Sequence, residues 1–175
     1  GGFTIVQDAD LEYDPRDFAE LLAPLVARSA TVVYGSRWLS TSAATFAREG
    51  PFAWGVTLLN ALVRLLYGVC LTDEATCYKA MPTALLRKLD LQCEGFEFCA
   101  EVTAKLCRLR IPIREVPIHY QRRTRRQGKK LRLRDGWTAV CELWRWRNWS
   151  GPEHVRIPAE QAGGSMMQER ERRAK

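Results

Sequence analysis

The chain of 175 residues has only two histidines and no CxxC pair, and its cysteines at 70, 77, 93, 99, 107 and 141 keep no metal-ligand spacing. A zinc site and a dithiol redox motif are therefore excluded. Most of these cysteines sit inside apolar patterns, and a chain of this length needs no disulfide to fold. Reduced, buried thiols in an intracellular protein are the expectation. There is no internal repeat, no initiator Met and no signal peptide. Because Gly1-Gly2-Phe3-Thr4-Ile5-Val6 already reads as a strand, the chain is expected to be the downstream part of something longer. An uninterrupted membrane span is also missing. The apolar run from Phe52 to Leu71 approaches spanning length, but Asn60 and Arg64 interrupt it on one face. An Arg near the centre of a span costs about 2.5–3.5 kcal/mol, so a buried or membrane-surface helix fits better.

What is present is an ordinary globular composition, 46% hydrophobic and 27% charged, with an uneven charge distribution behind its net +7. Residues 1–104 hold 8 basic and 13 acidic side chains, whereas residues 105–147 hold 14 and 3. Phe3 to Gln7 reads as a buried strand ending in an acidic cluster. Asp14-Pro15 caps a helix near 15–28, and Thr31 to Tyr34 forms a second strand, in an α/β unit whose strands are expected to pair in parallel. Further on, Thr76 to Met81 reads as a strand, Pro82 to Leu89 and Phe98 to Leu109 as helices, and Pro112 to Gln121 as a strand entering a basic loop. A Trp-rich helix is expected over Gly136 to Trp149, and residues 151–175 read as a polar, disordered tail.

Two features bear on chemistry. Asp8 and Asp10, at i and i+2 on an extended segment, point the same way and present hard oxygen ligands of the kind that hold Mg²⁺ or Mn²⁺ beside substrate phosphates. Taken alone, this spacing is better explained by a solvated loop that caps the next helix. The basic loop Arg122-Arg123-Thr124-Arg125-Arg126-Gln127-Gly128-Lys129-Lys130 suits a phosphorylated ligand, an anionic membrane surface or nucleic acid, with a merely solvated loop as the alternative. Without interleaved aromatics, and with an acidic first half, the chain is not expected to bind nucleic acid.

Taken in order, Gln7-Asp8-Ala9-Asp10-Leu11-Glu12-Tyr13-Asp14-Pro15, Val33-Tyr34-Gly35-Ser36-Arg37, Thr72-Asp73 with Thr76-Cys77-Tyr78-Lys79, Gly95-Phe96-Glu97-Phe98 with Glu101 to Lys105, Glu115-Val116-Pro117-Ile118, and Arg123-Thr124 with Gly128-Lys129-Lys130 and Asp135-Gly136 form six blocks over residues 3–136. In these blocks the sequence resembles the polyprenyl-phosphate glycosyltransferases of glycosyltransferase family 2, the dolichyl-phosphate mannosyltransferase group above all.

That resemblance implies an α/β fold of the Rossmann-like GT-A type. Residues 1–150 would be its C-terminal part without the nucleotide-binding half, carrying a basic loop and a terminal amphipathic helix, and the fragment alone would be inactive. It implies metal-dependent, inverting transfer of a sugar, mannose from GDP-mannose, onto a polyprenyl or dolichyl phosphate. Asp8, Asp10 and Glu12 would hold the metal, and Arg37, Arg48, Arg123, Lys129 and Lys130 would hold donor or acceptor phosphates. Asp73 and Glu101 would join Asp8 and Asp10 in the catalytic set by orienting the sugar or the basic residues. For these two a buried pairing with Arg or Lys is an equal alternative. The place of work would be the cytoplasmic face of a membrane, met peripherally. For 137–149, core packing and a membrane-surface role stand level; for 52–71 core packing is favoured. Another donor sugar, glucose or an amino sugar, or a non-enzymatic basic module binding membrane or nucleic acid, remains the alternative.

Overall fold

The computed structural model describes residues 1–9, 11–42, 46, 50–95, 97–122 and 133–151. Strand β1 (Phe3–Val6) leads through a 3-10 turn (Pro15–Asp17) into α1 (Phe18–Val26) and β2 (Val32–Ser36). Helix α2 (Pro51–Tyr67) is followed by β3 (Lys79–Pro82), α3 (Thr83–Lys88), α4 (Phe98–Arg108) and β4 (Ile113–Pro117). Helix α5 (Leu133–Arg145) runs into a second 3-10 turn (Trp146–Asn148).

The local chemistry explains the boundaries. The Asp14 carboxylate accepts the Arg16 backbone N–H at 2.9 Å, and Pro15 supplies a fixed φ at the first position of the turn. Helix α2 ends where Gly68 adopts φ 72 and donates its N–H to the Arg64 carbonyl, a left-handed stop that favours glycine.

The four strands form one mixed sheet in the order β1-β3-β2-β4. Parallel pairing of the first two strands is corrected here. Strand β3 lies between them, antiparallel to each, while β4 runs parallel to β2. The physical reason is the burial of β3 on both faces: Met81 packs with Val32 and Tyr34 in one apolar cluster, and Ala80 with Val33 and Tyr78 in the other. A strand with both faces buried belongs inside a sheet. Helix α1 covers one face through Leu21 and Leu25, and α2, α4 and α5 cover the other through Val63, Leu106 and Leu143. The result is three layers around two apolar clusters.

All six thiols are free, but the expectation of burial holds only for Cys77 and Cys107; Cys70 and Cys141 are exposed. Cys70 lies in the loop after α2, and Cys141 lies on α5, whose Ala139 and Leu143 are buried in the core. Among the described residues no helix is long and apolar enough to cross a membrane. Helix α2 instead buries Ala53, Val56, Leu59 and Val63.

Candidate functional site

Because β3 opposes its neighbours, β1, β2 and β4 all run in the same direction and their carboxyl ends meet at one edge of the sheet, beside the amino end of β3. In open α/β sheets this edge is where ligands bind. Asp8 follows β1, Arg37 follows β2, His119 and Tyr120 follow β4, and Cys77 and Tyr78 precede β3.

Arg37 is the centre of this edge. Its guanidinium donates from Nε to Asp73 Oδ2 at 2.7 Å and from Nη2 to Asp73 Oδ1 at 2.6 Å, with both side chains buried. Burial works against the charge, but Asp73 outweighs it and holds the Arg37 pKa well above its ordinary value. The Arg37 carbon Cζ also lies 5.1 Å from the ring centre of Tyr120, 5.2 Å from Phe52 and 5.7 Å from Trp38, within the range of cation–π attraction.

The loop carrying Asp73 is anchored from two sides. Glu115 on β4 accepts the backbone N–H groups of Thr72 and Asp73, each at 3.0 Å on Oε1, and the Thr72 hydroxyl at 2.9 Å. Asn60 on α2 donates to the Thr72 carbonyl at 2.7 Å and accepts the Glu74 N–H at 2.9 Å. The residue that breaks the apolar run of α2 is thus the clamp of the loop that positions Asp73.

Glu12 is buried and its Oε2 accepts the Tyr120 hydroxyl at 2.5 Å, while the Glu12 carbonyl accepts the Gln121 N–H at 2.8 Å. Tyr13 forms a bridge with Tyr120, and its hydroxyl accepts the Cys77 N–H at 3.1 Å. Burial, then the hydrogen bond to Glu12, pushes the Tyr120 hydroxyl well above the usual phenol range. The thiols here are inert: burial raises Cys77 strongly, helped by Cys99 and by the adjacent Asp8 carboxylate, and burial raises Cys99 to about 11.

The expected site residues divide clearly. Asp8, Glu12, Arg37 and Asp73 gather at this edge, with Asp8 exposed. Strand β1 ends at Val6, so Asp8 lies just beyond the strand, and with Asp10 outside the described residues the Asp8–Asp10 pairing lies outside them too. Asp10, Arg48, Arg123, Lys129 and Lys130 lie outside the described residues, as does the tail beyond Gly151. Glu101 is elsewhere, on α4: it accepts the N–H groups of Gln92 and Cys93 at 2.9 and 2.8 Å and pairs with the buried Lys105 at 2.6 Å. Lys105 also donates to the Asp90 carbonyl at 2.7 Å. The alternative pairing with Arg or Lys therefore describes the surroundings of both Asp73 and Glu101.

Asn60 stands out in the sequence as an interruption of an apolar run and Glu115 opens one of the matching blocks, but neither of them, nor Tyr120 or Phe52, was expected at the site. For Asn60 the available signal was a polar residue in a mostly apolar helix, because such a group must find partners when it folds inward. Among the described residues no cluster of three His, Cys, Asp or Glu side chains is arranged to hold a metal ion. Comparison with protein-family models and with curated proteins finds no match for the chain.

Proposed function

We propose that this chain belongs to a glycosyltransferase of the GT-A type that moves a sugar, mannose from GDP-mannose, onto the phosphate of a polyprenol with inversion, working peripherally at the cytoplasmic face of a membrane. The observation that carries the reading is the convergence of Asp8, Glu12, Arg37 and Asp73, drawn from three separate sequence blocks, at the carboxyl edge of three co-directional strands. A second pKa of about 6 leaves an acceptor phosphate largely ionised near neutral pH, so it attacks without a strong base and needs chiefly to be docked.

Oxygen-only donors fit a hard divalent ion. Exposed Asp8 together with Asp10 would hold Mg²⁺ or Mn²⁺, which would neutralise the charge developing on the leaving diphosphate. Glu12 is engaged with Tyr120, and in this reading it sets the position of that strand end rather than taking the first coordination place. Arg37, paired with Asp73 and packed among three aromatic rings, fixes the loop after α2 against the end of β2 beside the site. Gripping of phosphate falls to Arg123, Lys129 and Lys130.

The test is a transfer assay on the full-length gene product with detergent-dispersed polyprenyl phosphate and a panel of nucleotide sugars, in the wild type and in Asp8→Asn and Asp10→Asn. Metal-dependent turnover lost in both variants, with an unchanged urea midpoint, is the expected result. Undiminished transfer by either variant overturns the metal assignment, and transfer of another sugar corrects the donor.

A further inference from the structure

Helices α2 and α5 pack against each other and against the core, with the Tyr67 hydroxyl of α2 donating to the Leu143 carbonyl of α5 at 2.5 Å. Their inward sides are accounted for by Val56, Leu59 and Val63, and by Ala139 and Leu143. Their outward sides are unusual for a water-facing surface. Along α2, Trp54, Leu58 and Leu65 are 76%, 62% and 80% exposed, at spacings of four and seven that place them on one stripe. On α5, Trp137 and Trp144, seven residues apart, are 69% and 54% exposed. Three tryptophans and two leucines left in water at helical spacing constitute a surface made for contact rather than scattered apolar residues.

The charges around these stripes decide what covers them. Helix α2 contains no acidic residue, and its exposed cation, Arg64, precedes Leu65. Beside the tryptophans of α5, the Arg147 guanidinium lies 4.0 Å from the ring centre of Trp144, and Arg145 is exposed. Glu142 is occupied internally: it accepts the indole N–H of buried Trp146 at 2.6 Å and lies 3.3 Å from Arg145. Around these helices the sequence is strongly cationic, 14 basic residues against 3 acidic over 105–147. Tryptophan flanked by arginine suits the boundary between headgroups and acyl chains, where the ring enters the apolar edge and the guanidinium meets lipid phosphate. A second copy of the chain would bring one cationic face against another. Neither helix is long and apolar enough to span.

We infer that the outward faces of α2 and α5, through Trp54, Leu58, Leu65, Trp137 and Trp144, dock the protein on the surface of an anionic phospholipid bilayer. The inference rests on the peripheral-membrane part of the function proposed above and not on its chemistry. It also resolves the choice between core and membrane for both helices: each packs on the core with one side and meets lipid with the other. Phe52, which contacts Arg37 at the candidate site, lies in the first turn of α2 two residues before Trp54, so the lipid-facing stripe begins beside that site.

The experiment is flotation of the full-length protein with vesicles of phosphatidylcholine alone and of phosphatidylcholine mixed with phosphatidylglycerol. Wild type is expected to bind the mixed vesicles, with quenching of tryptophan fluorescence by brominated acyl chains. Removing one interfacial Trp, as Trp54→Gln or Trp144→Gln, should weaken binding about tenfold, from the apolar area lost. Joint replacement of Trp54, Leu65, Trp137 and Trp144 by Gln should abolish it while the far-ultraviolet circular dichroism is kept. Arg145→Gln with Arg147→Gln should reduce binding to the mixed vesicles alone. Full binding by the fourfold variant, absence of wild-type binding, or a dimer that this variant dissolves would each overturn the inference. Transfer to detergent-dispersed acceptor should survive the fourfold change. Loss of transfer in the wild type with vesicle binding intact would defeat the proposed function and leave the docking surface standing.

Discussion

Arg37 and Asp73 are joined by three hydrogen bonds, two from the guanidinium at 2.7 and 2.6 Å and one from the Arg37 backbone N–H at 3.0 Å. Removing one partner leaves the other charge buried and uncompensated, which costs about 3–5 kcal/mol. Asp73→Asn and Arg37→Met are therefore expected to lower the urea midpoint strongly. Arg37→Lys should not rescue, because an ammonium cannot reproduce the planar two-donor fork. The double change Arg37→Met with Asp73→Leu should lie closer to wild type than either single change. Strict additivity of the two losses would show that the pair is not coupled.

Gly35 is required by close approach rather than by its backbone angles. A Cβ there would sit 2.6 Å from Ile118 Cγ2 and 3.0 Å from Tyr78 Cβ, where β2 is flanked by the segments that follow β4 and precede β3. Gly35→Ala should destabilise by about 1–3 kcal/mol, the usual cost of overpacking a filled interior. Adding Ile118→Ala opens the space and should recover part of that loss, which a double-mutant cycle in urea would detect. A neutral Gly35→Ala would mean that the sheet edge can widen freely.

The degree to which the fold was legible follows from which forces act locally. The Asp14-Pro15 start, the burial of Leu21 and Leu25, and a strand within the expected 112–121, formed over Ile113–Pro117, depend on short-range propensity and periodicity. The position of β3 between β1 and β2 depends on which strand needs both faces covered, a property of the assembled layers rather than of neighbouring residues. The candidate site shows the same division. The acidic and basic blocks are visible one by one, and Glu101 with Lys105 is an i,i+4 pair on a single helix, but the pairing of Arg37 with Asp73 emerges only when distant segments pack. Asn60 illustrates the limit: its interruption of an apolar run is readable, whereas its task of holding the Thr72 carbonyl and the Glu74 N–H is not.

His119 ties the end of β4 to the start of α1. Its backbone N–H donates to Asp17 Oδ2 at 2.7 Å and its Nδ1 lies 2.7 Å from Asp17 Oδ1. The hydrogen bond to Asp17, followed by that carboxylate's charge, raises the imidazole pKa above its usual 6.5. A folded pKa above the unfolded one means that the charged pair stabilises fully below 6.5, and that this contribution fades as the pH rises through the folded value. The urea midpoint of wild type should exceed that of His119→Gln on the acid side and meet it at alkaline pH. Nuclear magnetic resonance titration should find the His119 ring titrating above 6.5, and a value at or below it would remove the basis of this pH dependence.

Glu74, next to Asp73, is fully buried, and neither of its carboxyl oxygens makes a hydrogen bond of good geometry. The buried Lys79 ammonium donates to the Glu74 backbone carbonyl at 2.8 Å and lies 3.8 Å from the ring centre of Tyr34. Burial pushes the Glu74 carboxyl above its ordinary 4.5, and the opposing effects of Lys79 and the Thr103 hydroxyl do not cancel it. For an acid whose folded pKa is raised, the native state is favoured most below the unfolded value, and that advantage disappears as the pH rises through the folded one. At neutral pH the wild type therefore carries the cost of burying a poorly compensated carboxyl. Glu74→Gln is expected to raise the urea midpoint near neutrality, with the gain closing below pH 4.5. Lys79→Met should lower it, because the carboxyl then loses the one ammonium that eases its charge. A lowered midpoint for Glu74→Gln at neutral pH would mean that the ionised Glu74 is held favourably, with Lys79 as a full partner.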